Sequence, residues 1–401
     1  MNLLTSVFSL AVFSHFLALE KLMIGSIPFY TLEIVFLGLG AVLLKEKLSP
    51  NERSIDKGVL LGVVCILLGA LFSTLLHPWE STELGRLKSW FLFPTAYFLV
   101  GIYFLSYQKR LFLWVSWFFG SSVIAWAALY GYFREYITYD NRLAFPYTSP
   151  NFLAYLVIPS VLIGFFLLRS VSGWMRGGVL FLMVTSFFVL YQTHSYNSWL
   201  ALLGALGIVF LGGVCIEKKK PSVKVLLTAG SIFIMLIGSL TVIESNNAKW
   251  TNIFEQSGRS SLDSRVMIWQ SALAIGRDHP LNGIGVGNFQ EVYLLYQNKF
   301  PPYLEWAVPQ PHNFILAVWL QTGLLGLLGM GILLGRLGML FFYRVRENNS
   351  TLKTEYLLII ALWVSFFFYG AFDTPYFRND LAFLFWIQVL LTYMYSLRNE
   401  H

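Results

Sequence analysis

Apolar stretches of about 20 residues, the length an α-helix needs to cross a bilayer, recur from one end of this chain to the other. Inside lipid the backbone finds no water to bond, so each stretch must satisfy its own N–H and C=O groups as a helix. Runs such as Val59–Leu76 are apolar on every face, which excludes the alternating pattern of a membrane β-barrel. Charged residues make up 12% of the chain, about half the share typical of a soluble domain. The sequence therefore predicts an all-α, polytopic membrane bundle.

Length and polarity mark about twelve spans. They are Leu4–Leu19, Pro28–Leu44, Val59–Leu76, Trp90–Ser106, Leu111–Tyr130, Asn151–Leu168, Trp174–Tyr191, Ser198–Cys215, Val223–Ile243, Asn313–Leu334, Tyr356–Gly370 and Leu381–Ser396. One large loop, Glu244–His312, interrupts them. Residues 1–401 thus read as a single membrane domain, with about nine spans in 1–243, the loop in 244–312 and about three spans in 313–401. Met1–Ile24 lacks a basic leader region and a small-residue cleavage site, and reads as a retained first span.

Lysine and arginine set the expected orientation. Lys45, Lys47, Arg53 and Lys57, then Lys109 and Arg110, Arg169 and Arg176, Lys218, Lys219, Lys220 and Lys224, and Arg336, Arg344, Arg346 and Lys353 fall on alternate loops, with Arg398 on the C-terminal tail. The complementary short loops hold only Lys21, Arg86, Lys88, Arg134, Arg142 and Arg378. Both termini are expected in the cytoplasm and the long loop outside, in a plasma (inner) membrane. This distribution accounts for the net charge of +7 without nucleic acid. Cys65 and Cys215 stand far apart with no metal-type spacing, so neither a disulfide nor a zinc site is implied.

Charge on the outer side needs a further explanation. Arg86, Arg142, His194, Arg265, Arg277, His279, His312, Asp373 and Arg378 lie in outer loops, most of them near a span end. Ionisable groups at that depth are costly and usually functional, although Arg86, Arg134 and Arg378 have the alternative of snorkelling to headgroups. Within the long loop, Ser260-Ser261-Leu262-Asp263 matches a capping box, and Leu262, Val266, Trp269 and Leu273 form an apolar stripe at helical spacing. An amphipathic helix is expected here, stopped by Gly276 and Pro280, lying at the bilayer surface or against the bundle. Arg265 falls in its first turn, where free N–H groups favour an anion; the alternative is a solvated or headgroup-bound side chain. Gly283-Ile284-Gly285-Val286-Gly287 follows a helix and a proline turn rather than a strand, so it reads as a tight path and not a dinucleotide loop. His312 follows Pro309-Gln310-Pro311 and is expected on the outer end of the next helix. A histidine there suits proton transfer near neutral pH, or a structural hydrogen bond.

Ser264-Arg265-Val266-Met267-Ile268-Trp269, then His279-Pro280-Leu281-Asn282-Gly283-Ile284-Gly285-Val286-Gly287-Asn288-Phe289, then His312-Asn313-Phe314 with Gln321-Thr322-Gly323-Leu324-Leu325-Gly326, together resemble the O-antigen ligase and polymerase superfamily. Asn141-Arg142-Leu143 with Ser149-Pro150-Asn151-Phe152, and Thr193-His194-Ser195-Tyr196-Asn197-Ser198-Trp199, are similar to two further pieces of its pattern. The resemblance implies a membrane glycosyltransferase that moves a glycan from a polyprenyl-diphosphate carrier to an acceptor hydroxyl on the outer face. It implies no cofactor and no bound metal. On this resemblance His312 is the acceptor's base or orienter, and Arg265 then Arg142 are the first candidates to hold the departing diphosphate. Arg86, Asn313 and His194 are expected as further substrate contacts. Many family members carry an arginine where Tyr196 stands here, so no arginine role transfers to that position. Ligation to a saccharide or lipid-saccharide acceptor is favoured over polymerisation of lipid-linked repeats, with protein glycosylation a third outcome. A flippase for the same lipid-linked sugars is the rival from another class, which inverted repeats and paired broken spans would favour.

Overall fold

The computed structural model describes residues 21–24, 27–30, 33–35, 37–38, 55–77, 81–105, 110–216, 261–300, 306–347 and 353–397. Strands β1 (Lys21–Ile24) and β2 (Ile27–Tyr30) pair as an antiparallel hairpin. The chain continues as α1 (Lys57–Leu75), α2 (Ser81–Leu87), α3 (Phe93–Phe104), α4 (Arg110–Phe133), α5 (Pro150–Ser170), α6 (Gly173–Gln192) and α7 (Tyr196–Ile216). After the gap come α8 (Ser261–Asp278), α9 (Phe289–Tyr296), α10 (Phe314–Glu347), α11 (Lys353–Phe372) and α12 (Asn379–Ser396). Apart from the hairpin and one isolated bridge, Ile137 to Leu143, the described residues form no β-structure.

Seven helical segments among the described residues are long and apolar enough to cross a membrane: Lys57–Leu75, Glu83–Phe104, Arg110–Phe133, Pro150–Ser170, Gly173–Gln192, Phe314–Arg346 and Thr354–Phe372. They coincide with seven of the twelve expected spans. Ser198–Cys215 falls on α7 and Leu381–Ser396 on α12. Leu4–Leu19 and Val223–Ile243 lie outside the described residues, as do 244–260 of the long loop. The expected span from Pro28 is corrected at its start, because Pro28 sits in β2 opposite Met23.

Helix α12 is the axis of the bundle. Every residue from Asn379 to Tyr395 is buried, as befits a helix with apolar side chains all round. Near its C-terminal end the Tyr393 hydroxyl accepts from the Asp56 N–H (2.9 Å), and the Tyr395 hydroxyl from the Trp114 indole (3.1 Å). The span Glu83–Phe104, packed against it, is interrupted by a π-helical turn at Lys88–Leu92. Pro94 has no N–H with which to bond the Trp90 carbonyl four residues back. The Tyr376 hydroxyl donates to that carbonyl instead (2.8 Å), and the Trp386 indole of α12 donates to Tyr376 (3.1 Å).

The amphipathic helix exists as α8, and the face it buries is not the one marked by Leu262, Val266 and Leu273. Leu262, Val266 and Leu273 are exposed, whereas Met267, Ile268, Ala272 and Ile275 are buried against α9 and α10. Both faces are therefore apolar, which a sequence stripe drawn on one of them does not reveal. One side packs on the protein, and the other suits lipid.

The glycine path beside α8 is spliced into a spanning helix. Helix α10 leaves helical geometry at Gly323 (φ 65, ψ −173). In an unbroken helix the Leu324 N–H would bond the Leu320 carbonyl. Here Leu324 donates to the Leu281 carbonyl (3.0 Å), and the Leu320 carbonyl accepts from the Ile284 N–H (2.7 Å). Gly323 is required twice over: its φ is left-handed, and a Cβ would overlap the Leu281 carbonyl oxygen. Gly323→Ala is expected to lower stability in detergent by more than about 2 kcal/mol, from left-handed strain plus overpacking. Gly338→Ala, in the same helix with nothing within 4 Å of the added methyl, should be neutral or slightly stabilising. Paired thermal melts check the contrast, and equal midpoints for the two variants would refute it.

Candidate functional site

The residue before α10 builds the centre of the site. Asn313 caps that helix, its Oδ1 accepting from the Leu316 N–H (3.0 Å), while its Nδ2 donates to the Ala371 carbonyl (3.1 Å). Pro309 and Pro311 precede the helix rather than occupy its first turn, so His312 stands just outside it, not on its end. His312 has a left-handed backbone (φ 49), a conformation that costs a non-glycine residue about 1–2 kcal/mol and is held only where surroundings impose it. Two contacts do so. The Trp269 indole of α8 donates to the His312 carbonyl (3.2 Å), and His312 Nδ1 lies 3.1 Å from Asp373 Oδ1. The imidazole is 30% exposed and the carboxylate 3%, so one ring edge faces the protein and the other is open.

Asp373 follows the end of α11. Burial alone would raise its carboxyl, but the facing imidazole, Arg265 and the Thr374 N–H outweigh burial and hold it below the usual carboxylate range. Its Oδ2 accepts from Asn151 Nδ2 (2.9 Å), at the start of α5. Asn151 Oδ1 in turn accepts from Arg142 Nη2 (2.8 Å) and from the Ser195 hydroxyl (3.0 Å). Arg142 Nε donates to the Thr193 carbonyl (2.8 Å), and Nη1 stands 3.7 Å from Asp140. Burial lowers the pKa of the Arg142 guanidinium and Asp140 opposes this. A continuous polar chain thus runs Arg142–Asn151–Asp373–His312, with all three guanidinium nitrogens of Arg142 turned to the protein.

Arg265 approaches from α8. Its Nε donates to the Phe372 carbonyl (2.8 Å), and its Nη1 to the Ser261 carbonyl (3.0 Å) and hydroxyl. These bonds leave the guanidinium on the wall of a cavity of about 250 Å³, lined also by Asn151, Tyr196, Asn197, Leu200, Ser261, Leu262 and Phe372. Arg142 lies behind the wall, within electrostatic reach of both Arg265 and Tyr196. Tyr196 itself, where many family members carry arginine, is a wall residue. Arrayed this way, the site offers one directly accessible cation, a second cation acting through its field, and a half-open imidazole backed by a carboxylate.

The expected site residues are only partly united. His312, Arg265, Arg142 and Asn313 meet around the ends of α5, α8, α10 and α11. His194, also left-handed (φ 45), sits on the α6–α7 turn with its ring against Tyr191 (5.6 Å between centroids). Its neighbour Thr193 joins the network, accepting at its carbonyl from Arg142 Nε. Arg86 is engaged elsewhere, donating to the Gly287 carbonyl (3.0 Å). Asp373 and Asn151 are the site residues that sequence reasoning left out. In the sequence Asp373 stands out only as one outer-loop charge among many, and Asn151 only as part of a motif.

A family profile described as O-Antigen ligase matches residues 181–331, a range that includes His194, Arg265, His312, Asn313 and the Gly323 splice. A curated relative described as O-antigen ligase, from Salmonella typhimurium (strain LT2), is 27% identical over 230 residues, 53% of this chain and 51% of the relative. The chain thus matches about half the length of that relative. The ordered motifs, the helical membrane architecture and these two matches agree in making the chain similar to O-antigen ligases, with residues 181–331 matching the family profile.

Proposed function

We propose that this protein transfers a glycan from a polyprenyl-diphosphate carrier to an acceptor hydroxyl on the outer face of the plasma (inner) membrane. The observation that carries the reading is the His312–Asp373 pair beside an arginine-walled cavity. In the proposed reaction the acceptor hydroxyl attacks the anomeric carbon of the donor's first sugar. The bond from that carbon to the diphosphate oxygen breaks, and the hydroxyl proton passes to the open nitrogen of His312. Asp373, ionised and facing Nδ1, orients the ring and offsets the positive charge it gains. The leaving diphosphate carries its charge toward Arg265, with Arg142 adding field from behind. In this reading arginine rather than a metal ion meets that charge. Asn313 and Arg142 support the site from within the protein, and Arg86 and His194 are assigned to the rim that receives the sugars.

Ligation is favoured over polymerisation because both matches carry a ligase description. The donor's tail would stay in lipid while the diphosphate sits at headgroup level, where the exposed apolar face of α8 lies. The lysine and arginine asymmetry supports a reading with both termini in the cytoplasm.

Purified protein given a lipid-diphosphate glycan and candidate acceptors tests the chemistry. His312→Gln should express, insert and bind donor normally yet lose transfer by about 10²–10⁴-fold, the usual worth of general acid–base help. Asp373→Asn should also lose transfer. The double variant should fall no further than His312→Gln alone, because the two act as one unit. Activity of His312→Gln within a few-fold of wild type would remove His312 from the mechanism. A flippase would form no glycosidic bond in this assay with any variant.

Orientation is tested separately with single cysteines at Asn247 and Lys219, probed by a membrane-impermeant thiol reagent in intact cells. Labelling is expected at position 247 and not at 219, and the reverse pattern would overturn the topology.

A further inference from the structure

We propose that a second cavity, at the end of the bundle away from His312, holds an acyl chain of an anionic phospholipid whose phosphate rests on Arg169. The proposal depends on the protein being in a membrane and not on its glycosyl-transfer chemistry. The cavity measures about 420 Å³, within the span typical of ligand sites, and lies between α5, α7 and α11. Its walls are apolar, Phe166, Val209 and Leu358 among them, and its only polar lining residues are Arg169 and Thr354. Arg169 is in the last turn of α5 and Thr354 in the first turn of α11, so both polar groups share one end. Along α5 that end is 18 residues from Asn151, about 27 Å at 1.5 Å per residue. This is close to the thickness of the hydrocarbon core, so Arg169 stands at the leaflet opposite the His312 site.

The charge is what selects the occupant. Two other cations at this end are neutralised within the protein, Arg110 by Glu355 (3.1 Å) and Arg336 by Asp56 (2.8 Å). Among the described residues Arg169 has no such partner. An apolar cavity does not hold water stably, and one facing lipid with a lone guanidinium at its headgroup end matches a phospholipid in both halves. Basic groups at such positions recognise anionic headgroups.

The full-length protein in detergent, incubated with equimolar phosphatidylglycerol and phosphatidylcholine of the same chains, gives the test by native mass spectrometry. Retained phosphatidylglycerol should exceed phosphatidylcholine about fivefold, the ratio equivalent to roughly 1 kcal/mol per basic residue. Arg169→Gln, a change at an exposed position, should bring the ratio to about one, and Arg169→Lys should keep most of it. An unchanged ratio in Arg169→Gln overturns the proposal. So does displacement of the lipid by added polyprenyl diphosphate to an extent that Arg169→Gln does not alter, which would assign the cavity to a donor tail.

Discussion

A buried carboxylate holds the site end of this protein together. Taking an ionised group out of water costs several kcal/mol unless charges and hydrogen bonds replace its hydration. Asp373 meets that demand with partners from different parts of the chain: His312 before α10, Asn151 at the head of α5, and the N–H of Thr374. Asn151 passes the constraint on to Arg142 and to the α6–α7 turn through Ser195. Each partner is thus positioned by a need for charge and hydrogen-bond balance that no single helix could satisfy. The left-handed backbone at His312 is a local expense that this shared balance sustains.

The membrane class and most helix positions were legible because span length is a one-dimensional property. Seven spans fall where apolar length puts them, since no tertiary contact is needed to require a helix in lipid. The candidate roles of Arg265 and His312 come only from motif resemblance, because a lone arginine or histidine near a span end has too many structural uses. The partners of His312 were not legible at all. Asp373 is 61 residues from His312 and 222 from Asn151, and nothing local to either marks the encounter. Asn313 shows the reverse difficulty: a residue inside a recognised motif spends both ends of its amide on the helix cap and on α11.

Helix α8 explains why an apolar stripe in the sequence does not say which face is turned to the protein. Periodicity distinguishes apolar from polar, not protein from lipid. Leu262, Val266 and Leu273 satisfy the same spacing rule as the buried Ile268, Ala272 and Ile275. A helix wedged between a bundle and a bilayer has two apolar sides, and only packing tells which meets which. Its wedged position brings Arg265 to the cavity wall while leaving hydrocarbon-compatible surface directly alongside.

The exchange of hydrogen bonds at Gly323 has a mechanical meaning. Leu281 and Ile284 complete the backbone of α10 where that helix cannot complete itself. Lifting the loop away would leave an N–H and a carbonyl unpaired at membrane depth, at a cost of several kcal/mol. The loop is accordingly a fixed lintel over the spanning helix rather than a hinged flap, and it shifts only as a rigid body with α10.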